Sequence, residues 1–83
     1  MDTDELKTWA EENEVEILLA DGFEEALIGV GRQFNTYLAV YDRDKCIEIL
    51  VAGGMSHEDA EEYFEVNTQG AYVGKNTPVF VTT

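Results

Sequence analysis

Acidic side chains are concentrated in two blocks of this sequence, and any fold must accommodate the repulsion within them. Ten acidic residues and one lysine precede Ala26, which gives the N-terminal block a net charge of −9. The stretch from Ala26 to Met55 is neutral, and the remainder carries −4. The total of −13 repels nucleic acid and anionic membranes and favours a basic protein as partner.

The length and composition indicate one small folded domain over residues 1–83. A chain this short buries only about 60% of its unfolded surface, so its core is small. The hydrophobic fraction of 45% is nevertheless normal for a globular protein, which argues against disorder. Residues 1–20 allow a second interpretation, an acidic N-terminal extension of that domain.

The sequence contains no signal for export, for membrane insertion or for a cofactor. No apolar stretch approaches the ~20 residues of a membrane span, and no secretory segment opens the chain, so we expect a soluble protein that acts where it is made. Cys46 is the only cysteine and His57 the only histidine, which excludes an internal disulfide and a Cys/His zinc cluster.

Start, turn and alternation signals predict the element order α-β-β-α-α-β. Asp2 with Glu5 has the pattern of a capping box, and Ser56 with Asp59 marks another helix start. Antiparallel strands with two to three helices on one face would bury every apolar stripe, which is an α+β fold. The predicted helices cover residues 3–13, 43–52 and 57–69, and the predicted strands cover 25–32, 37–41 and 79–81, with a further apolar segment at 71–73.

Two glycines in the first predicted strand, Gly29 and Gly31, lie one step apart on the same face. Glycine in a strand indicates that a backbone or a bulky side chain packs close to that face. A phosphate-binding loop is excluded, because Phe34 stands where such a loop has glycine and no Lys-Ser/Thr pair follows.

Four glutamates share one face of the third predicted helix. Their like-charge pairs would cost on the order of 1–2 kcal/mol, and no lysine lies among them. One interpretation is an ordinary solvated face; the other is mimicry of nucleic acid, since the carboxylates are spaced by about 3.5 Å along the axis and DNA phosphates by about 3.4 Å. The candidate partner-binding residues are these four, Glu58, Glu61, Glu62 and Glu65, together with Glu11, Glu12, Glu14, Glu16, Glu24 and Glu25 of the N-terminal block.

No set of residues predicts catalysis or a metal centre. Asp42, Asp44 and Glu48 carry carboxylates that suit a hard cation, but they lack calcium-loop spacing, and helix capping already explains Asp42. Cys46 lies on an apolar helix face and His57 at an exposed helix start, so a buried structural thiol is expected. We expect a protein that is not an enzyme and holds no metal or cofactor.

From Asp21 onward the chain resembles a family of small, uncharacterised acidic proteins encoded by bacteriophages. The segments that carry the resemblance are DGFEEA, YDRDKCIEIL, GMS, EEYFEVN, GAYVG and TPVF, which together span residues 21–81. The resemblance implies a phage origin and action in the cytoplasm of the host bacterium. It implies no catalytic residues, and the N-terminal acidic helix lies outside the shared part.

Charge and resemblance together predict a non-enzymatic inhibitor of a host nucleic-acid-binding or defence protein, as anti-CRISPR proteins are, with the acidic surface as a mimic of nucleic acid. An alternative hypothesis is a phage structural or assembly module that forms homo-oligomers through the neutral middle, its acidity serving solubility alone. A third is a metal-dependent nuclease accessory that uses Asp42 and Asp44.

Overall fold

The computed structural model describes residues 1–69, 74 and 76–83, which form three helices and a three-stranded sheet. The predicted segment at 71–73 lies outside the described residues. The order α-β-β-α-α-β and the α+β class are confirmed. The elements are α1 (Thr3–Glu12), a 3-10 turn (Glu24–Ala26), β1 (Leu27–Gln33), β2 (Thr36–Asp42), α2 (Arg43–Ala52), α3 (His57–Phe64), a π-helical turn (Glu65–Gln69) and β3 (Val79–Val81).

Each α-helix begins where a polar side chain caps its free backbone donors, as the sequence predicts. An Asp2 carboxylate oxygen accepts from the N–H of Glu5 at 2.8 Å, and Glu5 completes the capping box. Asp42 caps α2, and the Ser56 hydroxyl caps α3, with donor–acceptor distances of 3.2 Å in both. A good cap contributes about 1 kcal/mol, which explains why these boundaries are well encoded locally.

The start of β1 differs from the prediction, because a 3-10 turn replaces the first residues of the expected strand. In a strand, Phe23, Glu25 and Leu27 would share one face, so burying the two apolar residues would bury the carboxylate as well. A 3-10 turn has three residues per turn and therefore places Phe23 and Ala26 on the same side. Both are buried, while Glu24 and Glu25 stay exposed.

The sheet is mixed, with strand order β1-β2-β3. β1 and β2 form the predicted antiparallel hairpin, from Leu27 opposite Tyr41 to Gln33 opposite Thr36. The expectation that every strand is antiparallel is wrong for β3, which runs parallel to β2. The physical reason is the connection: the chain leaves β2 and returns through α2 and α3, and such a helical crossover brings the next strand back in the same direction.

One cluster of buried side chains joins the helices to one face of the sheet. Phe64 of α3 lies at its centre, with ring centroids 5.0 Å from Phe80 and 6.0 Å from Phe23. Tyr41 of β2 stacks on Phe80 at 5.5 Å. The buried members are Leu6, Phe23, Ala26, Leu27, Ala39, Tyr41, Cys46, Ile47, Ala60 and Phe64.

The N-terminal segment packs onto this core. Leu6 of α1 is a buried member of the cluster, and Trp9 meets Tyr37 of β2 edge to face at 5.3 Å. The carbonyl of Glu16 accepts a hydrogen bond from the Asn76 amide at 3.1 Å. The acidic block therefore has a defined position relative to the sheet.

The glycine prediction is met at one of its two positions. A Cβ on Gly31 would lie 3.0 Å from Cγ2 of Val40, so a side chain at this position would force Val40 to shift by a few tenths of an ångström. A Cβ on Gly29 would meet nothing within 4 Å.

None of the helices in the described residues is long and apolar enough to cross a bilayer.

Candidate functional site

All ten predicted partner-binding glutamates are exposed, but they differ in what surrounds them. Within residues 1–69, 74 and 76–83, every ion pair is made by Arg43 or Lys45, and the acidic partners all lie at or beyond Asp44. No Lys or Arg in this part of the chain pairs with an acidic residue that precedes Ala26. The N-terminal block is therefore exposed and not neutralised by local ion pairs.

Three of these glutamates lie at the carboxyl end of α1. Glu11 and Glu12 occupy its last turn, which has no basic residue, and Glu14 follows two residues after the helix ends. The carboxyl end of a helix carries a partial negative charge, so an acid there is destabilising, by roughly 0.3–1 kcal/mol when exposed. These positions are therefore unfavourable for the helix itself.

Glu14 also has an unfavourable backbone conformation. Its φ is 54°, in the left-handed region that glycine usually occupies at this point. The N–H of Val15 donates to the carbonyl of Ala10 at 3.0 Å, and that of Glu14 donates to Glu11 at 3.2 Å, which is the hydrogen-bond pattern of a Schellman motif. The motif requires the left-handed residue but gives no reason for that residue to be glutamate.

A second group of acids meets beside the first turn of α1. Asp2 and Asp4 from the helix start and Glu24 and Glu25 from the 3-10 turn line one shallow depression of about 430 Å³. The sequence interpretation assigned Asp2 to capping and did not select Asp4 as a binding residue. The charge count of the N-terminal block included both, but only the packing of α1 beside the turn brings them to Glu24 and Glu25.

Glu24 has a structural role in addition to its charge. Its carboxylate accepts from its own N–H and from the N–H of Gly22, the latter at 3.2 Å, and these bonds hold the pKa of Glu24 below its ordinary value. The side chain closes the turn at Asp21 and Gly22, where Gly22 has a φ of 92°. Local turn geometry therefore explains Glu24 without a partner.

The glutamate stripe of α3 is less repulsive than the sequence suggests. Arg43, the first residue of α2, binds Glu65 at 2.6 Å and lies with its guanidinium 5.7 Å from the ring centre of Phe64. Glu58 lies in the first turn of α3, where the helix dipole favours an acid. No lysine lies among these glutamates, as the sequence shows, but a base from a neighbouring helix, Arg43, pairs with one of them.

The residues considered for metal binding and catalysis have structural roles or lie apart. Asp42 caps α2, and Asp44 lies 3.8 Å from Arg43. Cys46 is fully buried, and burial, with a smaller contribution from Asp42, raises the pKa of its thiol to about 12, so the thiol is protonated at neutral pH. Among the described residues, no group of three His, Cys, Asp or Glu side chains is placed to hold a metal ion.

The strongest candidate site is therefore the exposed surface formed by the end of α1 and the segment that follows it. Glu11, Glu12 and Glu14 form its centre, and Glu16 and Glu25 are further exposed acids of the same unpaired block. A surface of this kind attracts cations and basic proteins through long-range electrostatics. Comparison with known proteins adds no assignment, since no protein-family model, no curated protein and no solved structure matches the chain.

Proposed function

We propose that this protein is a non-enzymatic, phage-encoded inhibitor that binds a basic nucleic-acid-binding or defence protein of the host bacterium, in the manner of an anti-CRISPR protein. Its acidic surface occupies the groove that otherwise holds nucleic acid. The phage origin rests on the sequence resemblance, and the electrostatic mode of action rests on the structure.

The observation that carries the proposal is the acidic end of α1. Glu11, Glu12 and Glu14 are exposed, have no ion pair with a base in the described chain, and oppose the helix dipole. Residues that lower the stability of a small domain are expected where they serve binding, because the loss matters in a domain with a margin of only ~5 kcal/mol. Acids elsewhere, such as Glu24 and Glu58, have local structural explanations.

The chain also favours a protein partner over nucleic acid. A net charge of −13 repels phosphate backbones, whereas a basic groove attracts such a surface and accelerates encounter. Binding of this kind weakens as salt screens the charges, because the Debye length falls from about 10 Å at 0.1 M to about 3 Å at 1 M.

The experiment compares two triple variants with the same change in charge. One replaces Glu11, Glu12 and Glu14 with glutamine; the other, the control, replaces Glu58, Glu61 and Glu62. Partners are captured from bacterial lysate on the immobilised protein at low salt and identified, and each dissociation constant is then measured at low and high salt with and without double-stranded DNA.

We expect the α1 variant to bind the partner about tenfold or more weakly than the control variant, since three charges leave the contact surface. DNA should compete with the protein for the partner, and high salt should weaken the complex. A dissociation constant that is unchanged by salt and by DNA would contradict a nucleic-acid mimic centred on α1. An equal loss of affinity in both triple variants would contradict it as well.

A further inference from the structure

We propose that two copies of this chain associate through β1, whose outer edge pairs antiparallel with the β1 of the second copy. β1 pairs with β2 on one side, and in the described part of the chain no strand occupies its other side. Backbone N–H and C=O groups along such an edge are available to another strand. This inference is independent of the proposed inhibition.

β1 has few of the features that protect strand edges. Its sequence, LIGVGRQ, contains no lysine, proline or acid. A bulge between Leu27 and Gly29 disturbs only its first residues, and from Gly29 to Gln33 the pairing with β2 is regular. These five residues therefore form a regular strand edge to which a further strand can pair.

The charge distribution favours this region for self-association. From Ala26 to Tyr41 the only charged residue is Arg32, whereas each whole chain carries −13. Two such chains repel one another, and the repulsion is smallest where acidic groups are fewest. The hairpin is one of the two long acid-free stretches of the sequence, the other being residues 66–83, so a second copy that approaches the hairpin meets little repulsion.

The two ends of β1 carry opposite charges, which selects a second copy in antiparallel orientation. Glu24 and Glu25 lie in the 3-10 turn just before the strand, and Arg32 lies near its far end. Antiparallel pairing places the acidic end of one copy beside Arg32 of the other, and the two-fold symmetry makes this contact twice. Opposite charges across a strand pair stabilise that pair.

Exposed apolar side chains lie at the same two ends. Ile28 is 44% exposed, and Phe34, at the hairpin tip, is 88% exposed. The carbonyl of Phe34 accepts a hydrogen bond from Nε of Arg32 at 2.7 Å, which fixes the tip. In the antiparallel arrangement, the end of one copy that carries Phe34 lies near the end of the other that carries Ile28, so both residues lose exposed surface on association.

The salt dependence of this dimer is opposite in sign to that of the inhibitory complex. Salt screens the repulsion between two chains of −13, so association of identical copies strengthens as salt increases. Binding to a basic partner weakens under the same change. The two proposals can therefore fail independently.

The experiment is sedimentation velocity of the full chain from micromolar to submillimolar concentration, at low and high salt. We expect a monomer–dimer equilibrium that shifts toward dimer at high salt. Ile28→Lys should weaken association about tenfold or more, because it places a cation on the paired edge beside Arg32 of the other copy. Val51→Lys on α2, at a residue that is 38% exposed, makes the same charge change away from the edge and should leave association unaltered.

A charge exchange tests the orientation. Glu25→Arg and Arg32→Glu should each weaken the dimer, and the double variant should restore it, with circular dichroism confirming that each variant is folded. A chain that stays monomeric at every concentration would overturn the proposal. The β1 edge would then be available to a strand of a different protein. Equal effects of Ile28→Lys and Val51→Lys, or no restoration in the double variant, would also overturn it.

Discussion

The phenol oxygen of Tyr41 accepts a hydrogen bond from the backbone N–H of Ala20 at 2.9 Å. Tyr41 lies in the middle of the core and is 1% exposed, whereas Ala20 ends the segment that carries Glu14 and Glu16. This bond links the acidic N-terminal block to β2, in addition to the contact between Trp9 and Tyr37. The orientation of the candidate binding surface therefore depends in part on one buried hydroxyl.

Replacing that hydroxyl should destabilise the protein while leaving the packing intact. Tyr41→Phe keeps the ring that stacks on Phe80 but leaves the Ala20 N–H without its acceptor, so we expect the free energy of unfolding to fall by about 1–2 kcal/mol. Urea unfolding measures the change. Tyr63→Phe, at an exposed tyrosine, is the control and should alter stability by less than about 0.5 kcal/mol. Equal effects would show that the bond contributes nothing.

Stability should fall at alkaline pH. Burial raises the pKa of Cys46 to about 12 and also raises that of Tyr41, whose ordinary values are 9.0 and 10.0. The folded protein therefore keeps these two groups protonated at pH values at which the unfolded chain releases the protons. The stabilisation that results is complete below pH 9 and is lost as the pH rises through the pKa values that the two groups have in the folded protein. The slope for each group is at most about 1.4 kcal/mol per pH unit.

Urea midpoints measured between neutral and strongly alkaline pH would show this decline. In Cys46→Ala the contribution of the thiol is absent, so the decline should begin near the ordinary tyrosine pKa of 10.0 rather than near 9.0. If the variant and the natural chain lose stability over the same pH range, Cys46 is not the group responsible.

Because Glu14 has a left-handed backbone conformation, we expect the protein to be more stable with glycine at this position. Glu14→Gly relieves backbone strain and removes an acid from the carboxyl end of α1, so the free energy of unfolding should rise by about 1 kcal/mol. Thermal unfolding measures it. Glu16→Gly removes the same charge at a residue without positive φ and should not stabilise. A stabilising effect of both changes would point to charge alone.

The backbone of Phe34, at the hairpin tip, is also in the left-handed region, so glycine should be favourable there too. Its φ is 56°, which is unfavourable for a bulky residue, and its side chain has little to pack against. Phe34→Gly should raise the free energy of unfolding by roughly 1 kcal/mol, measured at a concentration at which the chain is monomeric. Asn35→Gly, next to it and without positive φ, should lower it. Loss of stability in Phe34→Gly would contradict the strain.

Arg43 should contribute more to stability than Lys45, the other basic residue of its helix start. Arg43→Met removes the ion pair with Glu65 and leaves the α3 glutamates to repel one another, so we expect a loss of about 0.5–1 kcal/mol at low salt. Lys45→Met breaks only a longer, more exposed pair with Glu48 at 3.9 Å and serves as the control. Losses that are equal, or that persist unchanged at high salt, would exclude an electrostatic cause.

Local signals predicted most of the element order. Asp2, Asp42 and Ser56 start helices because their side chains reach backbone donors only three residues away. The β1–β2 hairpin was also predicted, since it depends on alternating apolar residues around a short turn. The 3-10 turn at Glu24–Ala26 was missed because the burial of Phe23 together with Ala26, and not strand propensity, decides the conformation there.

The candidate site was predicted as a set of glutamates but not as a surface. The sequence identified Glu11, Glu12 and Glu14 by charge, yet nothing in it distinguished them from Glu65. That distinction requires Arg43, which is 22 residues away from Glu65 in the chain. The joining of Asp4 to Glu24 and Glu25 likewise depends on how α1 docks.

The sequence by itself determined where the helices begin, which residues are apolar enough for the core, and that the surface is strongly negative. These properties depend on neighbours within a few residues or on composition. Only the tertiary structure decided the parallel direction of β3, the partner of Glu65 and the place of β1 at the edge of the sheet that the described residues form. Each of these depends on which distant segments come into contact, because pairing energies between strands and between charges are set by distance in space and not by separation along the chain.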